Sequence, residues 1–253
     1  MKLLPTLLLA ACVPSAFATS FTVTDPFNAP CSNSGSPTCD VIGDPLGFDI
    51  QKGVFNIGAN SATIDLYFNF GLNTATSTAP FSVNSVVLSL GDLFLSGNGF
   101  NYGIALQTHN TAVSGNVTGG VLYQINNANG TLTAAQALGS PTNISYRPTE
   151  TVWLRNDGAN SLTSLVNGAV TIAGAQGNGV TAPEFKATIT LNYVAGSSVA
   201  QNLQSLNAGG VHFASATCGN DVMNGVPEPA SLGMIGAGLL AFAGIRFRQT
   251  RKK

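Results

Sequence analysis

The chain predicts an all-β fold: one antiparallel β-sandwich of jelly-roll type, set between an N-terminal signal peptide and a single C-terminal transmembrane helix. Three observations carry that expectation. Apolar and polar residues alternate over several stretches of the body, the mark of half-buried strands. Asn-Gly pairs, which suit turns with positive φ, separate them at Asn98-Gly99, Asn129-Gly130, Asn167-Gly168 and Asn178-Gly179. No stretch of the body shows the period of a long amphipathic helix. Eight to eleven short strands with turn signals suit a sandwich. A β-solenoid is the alternative, but it needs a fixed repeat, and none is present.

Residues 1–18 read as a signal peptide. Met1-Lys2 is a minimal positive start, Leu3 to Val13 is mostly apolar, and Pro14-Ser15 breaks the run. Ala16 and Ala18 supply small residues at the −3 and −1 positions of a cleavage site, placing the cut before Thr19. Leu9-Ala10-Ala11-Cys12 resembles a bacterial lipobox and offers a rival processing site at Cys12. Either reading sends the chain to the Sec translocon, and the first to signal peptidase.

The body spans residues 19–218. Ile64, Leu66, Phe68 and Phe70 interleave with Thr63, Asp65, Tyr67 and Asn69; Phe185, Ala187, Ile189, Leu191 and Tyr193 interleave with Lys186, Thr188, Thr190 and Asn192. Val121, Tyr123 and Ile125 form a shorter case. Val86 to Leu95 is more continuously apolar, as a central strand covered on both faces would be. Val152 to Arg155, Val166 to Ile172 and Val211 to Ala214 complete the strand candidates. Thr131 to Leu138 and Ser198 to Leu206 suit short helices. Residues 219–225 read as a linker.

Cysteine usage fits export. Cys31 and Cys39 frame a Ser/Gly/Pro-rich loop, and a disulfide between them would staple it. Either could instead pair with Cys218, tying the two ends of the body together. One thiol is left over in each case. Cys31 and Cys39 have no matching pair or nearby His, so a zinc site is not expected.

The chain ends on a distinct pattern at residues 226–253. Val226-Pro227-Glu228-Pro229 is a short polar element that two prolines hold extended. Ala230 to Ile245 is apolar and uncharged. As a helix it would span about 24 Å, short for a hydrocarbon core of about 30 Å unless flanking Arg side chains snorkel. Arg246, Arg248, Arg251, Lys252 and Lys253 follow, and by the positive-inside rule they hold that end in the cytoplasm. Motif, greasy span and basic end, in this order, resemble the PEP-CTERM family of sorting signals. The resemblance covers only the tail. It implies recognition of Val226, Pro227, Glu228 and Pro229 by an exosortase, a membrane-embedded cysteine protease or transpeptidase of Gram-negative bacteria. It also implies a stop-transfer role for the basic residues, transient residence in the inner membrane, and an association with exopolysaccharide and biofilm.

Composition narrows the function classes. Without the signal peptide and the stretch from Pro229 onward, Lys52, Arg147, Arg155 and Lys186 face eleven acidic residues, Glu228 among them, a body charge of about −7. Such a surface is not built for nucleic acid. The chain has two histidines, His109 and His212, and no Gly-x-Ser-x-Gly elbow. Both histidines read as structural. Asp40, Asp44, Asp49, Asp65 and Asp92 could supply paired carboxylates for glycoside hydrolysis, but several sit in Gly/Pro turns. No regular calcium loop appears, and no metal or cofactor is expected. Tyr102, Tyr123, Tyr146, Trp153 and Tyr193 would suit either a core or a sugar-binding platform. The expectation is a non-enzymatic exported protein, structural or adhesive at the cell surface or in an extracellular polysaccharide matrix. A secreted glycan-binding module is the alternative, ahead of a glycan-active hydrolase.

Overall fold

The computed structural model describes residues 18–25, 30–31, 41–42, 48–69, 81–83, 86–142, 144, 146–158, 161–174, 185–215, 217, 219 and 221–225. Ala16, the prolines of the tail, the basic end, Cys39, Cys218, Asp40 and Asp44 lie outside these residues, so the disulfide, the sorting signal and the membrane span do too. Cys31 is described in its backbone only. Among the described residues no helix is long and apolar enough to cross a membrane.

Strands dominate. In chain order they are β1 (Thr19–Thr24), β2 (Pro30–Cys31), β3 (Val41–Ile42), β4 (Ile50–Ile57), β5 (Ser61–Phe68), β6 (Phe81–Val83), β7 (Val86–Leu88), β8 (Leu93–Gly97), β9 (Phe100–Ile104), β10 (His109–Thr111), β11 (Gly115–Val117), β12 (Val121–Ile125), β13 (Thr131–Thr133), β14 (Thr151–Leu154), β15 (Leu162–Gly174), β16 (Phe185–Asn192), β17 (Val211–Ala214) and β18 (Val222–Asn224). Two short helices join them, α1 (Ala134–Leu138) and α2 (Ser198–Gln204). The first strand starts at Thr19, the residue beyond the expected signal-peptide cut.

Ten strands form one sheet in the order β1-β4-β5-β16-β15-β12-β9-β8-β17-β18, antiparallel throughout. The all-β, antiparallel expectation therefore holds. The expected pair of separate sheets is instead one sheet folded over itself at β15. Val166 and Asn167 pair with β12, while Gly168 to Gly174 pair with β16. Two features turn the corner. Leu165 is a bulged residue in the β12 ladder, which bends and twists the strand. Gly168 lies where backbones converge: a Cβ there would sit 2.5 Å from Thr190 O and 2.8 Å from Gly120 O. The far edges then meet. β18 touches β1 and β4, and Met223 Cε lies 3.1 Å from where a Cβ of Gly53 would be. The result is nearly a closed barrel. Val222–Asn224, within the stretch read as linker, are thus part of the sheet.

The alternation read in the sequence faces this interior. Ala62, Ile64, Leu66 and Phe68 of β5 and Phe185, Ala187, Ile189 and Leu191 of β16 are all buried. Phe68 meets Phe213 of β17 edge-on across the interior, with ring centroids 5.6 Å apart. Each such ring removes about 2–3 kcal/mol worth of apolar surface from water. Between these residues Thr63, Asp65, Tyr67, Lys186 and Thr188 point outward. Asp65 accepts from the Thr188 hydroxyl at 2.6 Å and lies 3.7 Å from Lys186 Nζ.

The other half of the sheet is covered on both faces. β13 and β14 pair with each other and lie over β8, β9 and β12 with the β10–β11 hairpin. Phe94, Ala105, Val121, Tyr123 and Leu154 form this second cluster. Double cover is why Leu93-Phe94-Leu95 and Val121-Leu122-Tyr123 are apolar without a break. The continuous run from Val86 to Leu95 is not one strand. β7 ends at Leu88, and the chain then leaves the ladder so that Asp92 N can donate to Val152 O at 2.9 Å. The two expected helices are shorter than read. Thr131–Thr133 is strand, and α1 starts only where Thr133 and Gln136 close a capping box. α2 starts at the Ser197 cap.

Candidate functional site

The break before β8 places a carboxylate in the interior. Asp92 is 1 % exposed and its side chain faces three elements at once. Its Oδ2 accepts from Leu154 N of β14 at 2.8 Å and its Oδ1 from Leu106 N at 3.3 Å, just past β9. His109 Nε2, at the start of β10, lies 3.0 Å from Oδ2. Burial pushes the Asp92 carboxyl above its usual range; the bonds from His109, Leu154 and Leu106 pull it back only in part.

The His109 ring is held from a second side. It lies flat on the Trp153 indole, centroids 4.5 Å apart and planes 6° from parallel. Trp153 is itself pinned by an Nε1 hydrogen bond to Leu90 O at 2.9 Å. The β10–β11 hairpin carries His109 into this position. Its turn is knotted by Thr111 and Ser114, whose side chains bond each other and each other's backbone. Ser114 O accepts from Asn156 N at 2.8 Å. Gly115 follows at φ +64°, and a Cβ on it would lie 1.9 Å from Asn156 O. Only glycine lets the hairpin sit that close to the end of β14.

One atom in this cluster is left over. His109 Nδ1 is buried and has no hydrogen-bond partner. An unmade bond of this kind costs about 1–3 kcal/mol. The ring lines an open cleft of about 520 Å³ between Ser89-Leu90, the segment Gln107 to Thr111, and Trp153. A fixed imidazole with one nitrogen on a carboxylate leaves the other with an unmade hydrogen bond beside the cleft.

The other histidine differs. On β17, His212 Nε2 donates to Thr151 O at 2.8 Å, and Nδ1 lies 2.6 Å from Asn224 Oδ1. Glu150 Oε1 is 3.6 Å from Nε2. Both ring nitrogens rivet β17 to β14 and β18, beside a smaller recess of about 310 Å³. His212 is thus held at both ring nitrogens, whereas His109 is held at one and its ring lines the cleft.

The remaining sequence candidates are dispersed. Asp65 faces outward on β5, and Asp49 is buried beside β4. Neither lines the cleft beside His109. Tyr102, Tyr123, Trp153 and Tyr193 are all at most 9 % exposed, packed in the interior rather than spread as a platform. Among the described residues no group of three metal-binding side chains occurs. The Asp92–His109 pair had no local signal: seventeen residues separate them, and their meeting depends on how β8 to β10 fold back.

A family model for the PEP-CTERM protein-sorting motif matches residues 225–249. The match begins one residue after β18. The motif implies an exported chain that passes through the membrane transiently and is processed by an exosortase, toward the cell surface or beyond. No curated protein and no solved structure matches the chain.

Proposed function

We propose that this chain, carrying a PEP-CTERM sorting motif, serves as a non-enzymatic structural or adhesive component outside the cell. The motif at 225–249 is the observation that carries the reading. The folded body supports it. Its first strand begins at Thr19 and its last ends at Asn224, so the whole sheet lies between the two processing segments. The acidic, Lys-poor surface suits life in a hydrated matrix rather than on anionic lipid or nucleic acid. Signal peptidase would act before Thr19, and the exosortase at Val226-Pro227-Glu228-Pro229, with Arg246 to Lys253 holding the chain in the inner membrane until release.

The C-terminal peptide mass of the protein purified from its native host tests this. The expected peptide ends short of the apolar run, with Ala230 to Lys253 largely absent. A mature protein still carrying residues 230–253 overturns it.

A second reading is a glycan-binding module, and the cleft at His109 favours it. Pull-down on the producer's own polysaccharide separates the two: a structural component with no glycan site is not retained.

A further inference from the structure

The described lining of the cleft beside β10 is part polar and part apolar. Ser89, Thr108, Asn110 and Thr111 bring hydroxyls and amides, while Leu90 and Trp153 bring apolar surface. No Lys or Arg is among its described lining residues, so none of these offers a cation to a phosphate or carboxylate. Asp92 is enclosed behind the His109 ring and accepts from two backbone N–H groups. It is not presented to a cation.

The buried Nδ1 of His109 narrows the ligand further. Asp92 and His109 share a hydrogen bond in which either partner can be the donor. When Asp92 is ionised, Nε2–H donates to it and neutral His109 offers an accepting Nδ1. When Asp92 has taken up a further proton, it donates to Nε2, the ring's own proton lies on Nδ1, and Nδ1 donates. A carboxylate ligand can only accept, and an ammonium only donate. A hydroxyl does both, and so satisfies Nδ1 in either state.

We infer that this cleft binds a neutral saccharide, with one ring hydroxyl on His109 Nδ1 and others reaching the Asn110 amide and the rim hydroxyls. The C–H groups of the sugar meet the small apolar surface that Leu90 and Trp153 leave exposed in the lining. The inference rests on the glycan-binding reading above and adds the site and the charge class of its ligand.

Trp153 is the chain's only tryptophan and is stacked on His109, so its fluorescence reports this cleft. The secreted protein is titrated with glucose, galactose, N-acetylglucosamine and neutral oligosaccharides of each, with glucuronate and glucosamine as charged controls. A saturable change is expected with at least one neutral sugar in the millimolar range or below. Binding should weaken about tenfold in His109→Phe, which keeps a ring on Trp153 but loses Nδ1, and about three- to tenfold in Asn110→Ala. The charged controls should bind more weakly. If His109→Phe fails to fold by circular dichroism, the exposed Asn110→Ala carries the test alone. No saturable response to any neutral sugar overturns the inference, as does unchanged affinity in the folded variants. Retention on the producer's polysaccharide that both variants preserve would keep the glycan-binding reading and sink this site.

Discussion

Asp92→Ala is expected to lower the unfolding free energy by about 3–5 kcal/mol, measured by urea denaturation followed by far-ultraviolet circular dichroism. The substitution strands Leu106 N and Leu154 N, both buried donors, and frees His109 Nε2 as well. Each orphaned donor contributes about 1–3 kcal/mol. The loss should depend on pH in a definite sense. Burial raises the folded-state value of Asp92 above the ordinary 3.8. The folded protein therefore binds this proton more tightly than the unfolded chain does. That stabilisation is complete below about 3.8 and is lost as pH rises through the raised value. The gap between wild type and variant should be widest in acid and narrow toward neutrality. A loss under about 1 kcal/mol, or a gap that widens with rising pH, would show that Asp92 does not hold these strands together.

Gly168→Val is expected to be the most damaging single change in the sheet. Its Cβ would fall within 2.8 Å of two backbone oxygens, Thr190 O on one neighbour and Gly120 O on the other, and 2.6 Å from Leu191 Cδ2. Backbone cannot swing aside as a side chain can. Either β16 or the approach to β12 must give way, and the two halves of the sheet lose their common strand. A loss of about 3 kcal/mol or more is expected, with a lower denaturation midpoint. Gly99→Val serves as the control for substituting a turn glycine, since a Cβ there meets nothing within 4 Å; its φ of +81° should still cost about 1 kcal/mol. If Gly168→Val loses no more than Gly99→Val, the corner is not a packing constraint.

Much of the strand content could be read from period two. β5 and β16 lie close to where alternation placed them, because one face of each meets the interior and the other meets water or polar neighbours, and β12 and β17 also lie near the strands read for them although most of their residues are buried. β1, β4 and β9 were not anticipated. β9 carries glycine and asparagine within Phe100–Ile104. β4 has a bulge between Ile50 and Lys52 and an inward-facing Gly53 beneath Met223, both of which blur its pattern. The folded-over sheet was hidden for a similar reason. Asn167-Gly168 reads locally as a hairpin turn, yet it lies inside the longest strand, because a missing side chain serves a close backbone crossing as well as a tight turn.

The address of this protein was legible in its linear order. The stretch that reads as a signal peptide, the Pro-Glu-Pro element, the apolar run and the basic end are patterns that a translocon or a protease would meet as extended chain, and the tail's match to a sorting motif needs no fold. The interior is different. A buried carboxylate, a histidine seventeen residues on and an indole still further along become a cleft only when β8, β10 and β14 pack together. Alternation sets which residues go inside. Which of them meet is decided by the corner at Gly168 and the layer on the outer face, and those contacts join positions with no shared local pattern.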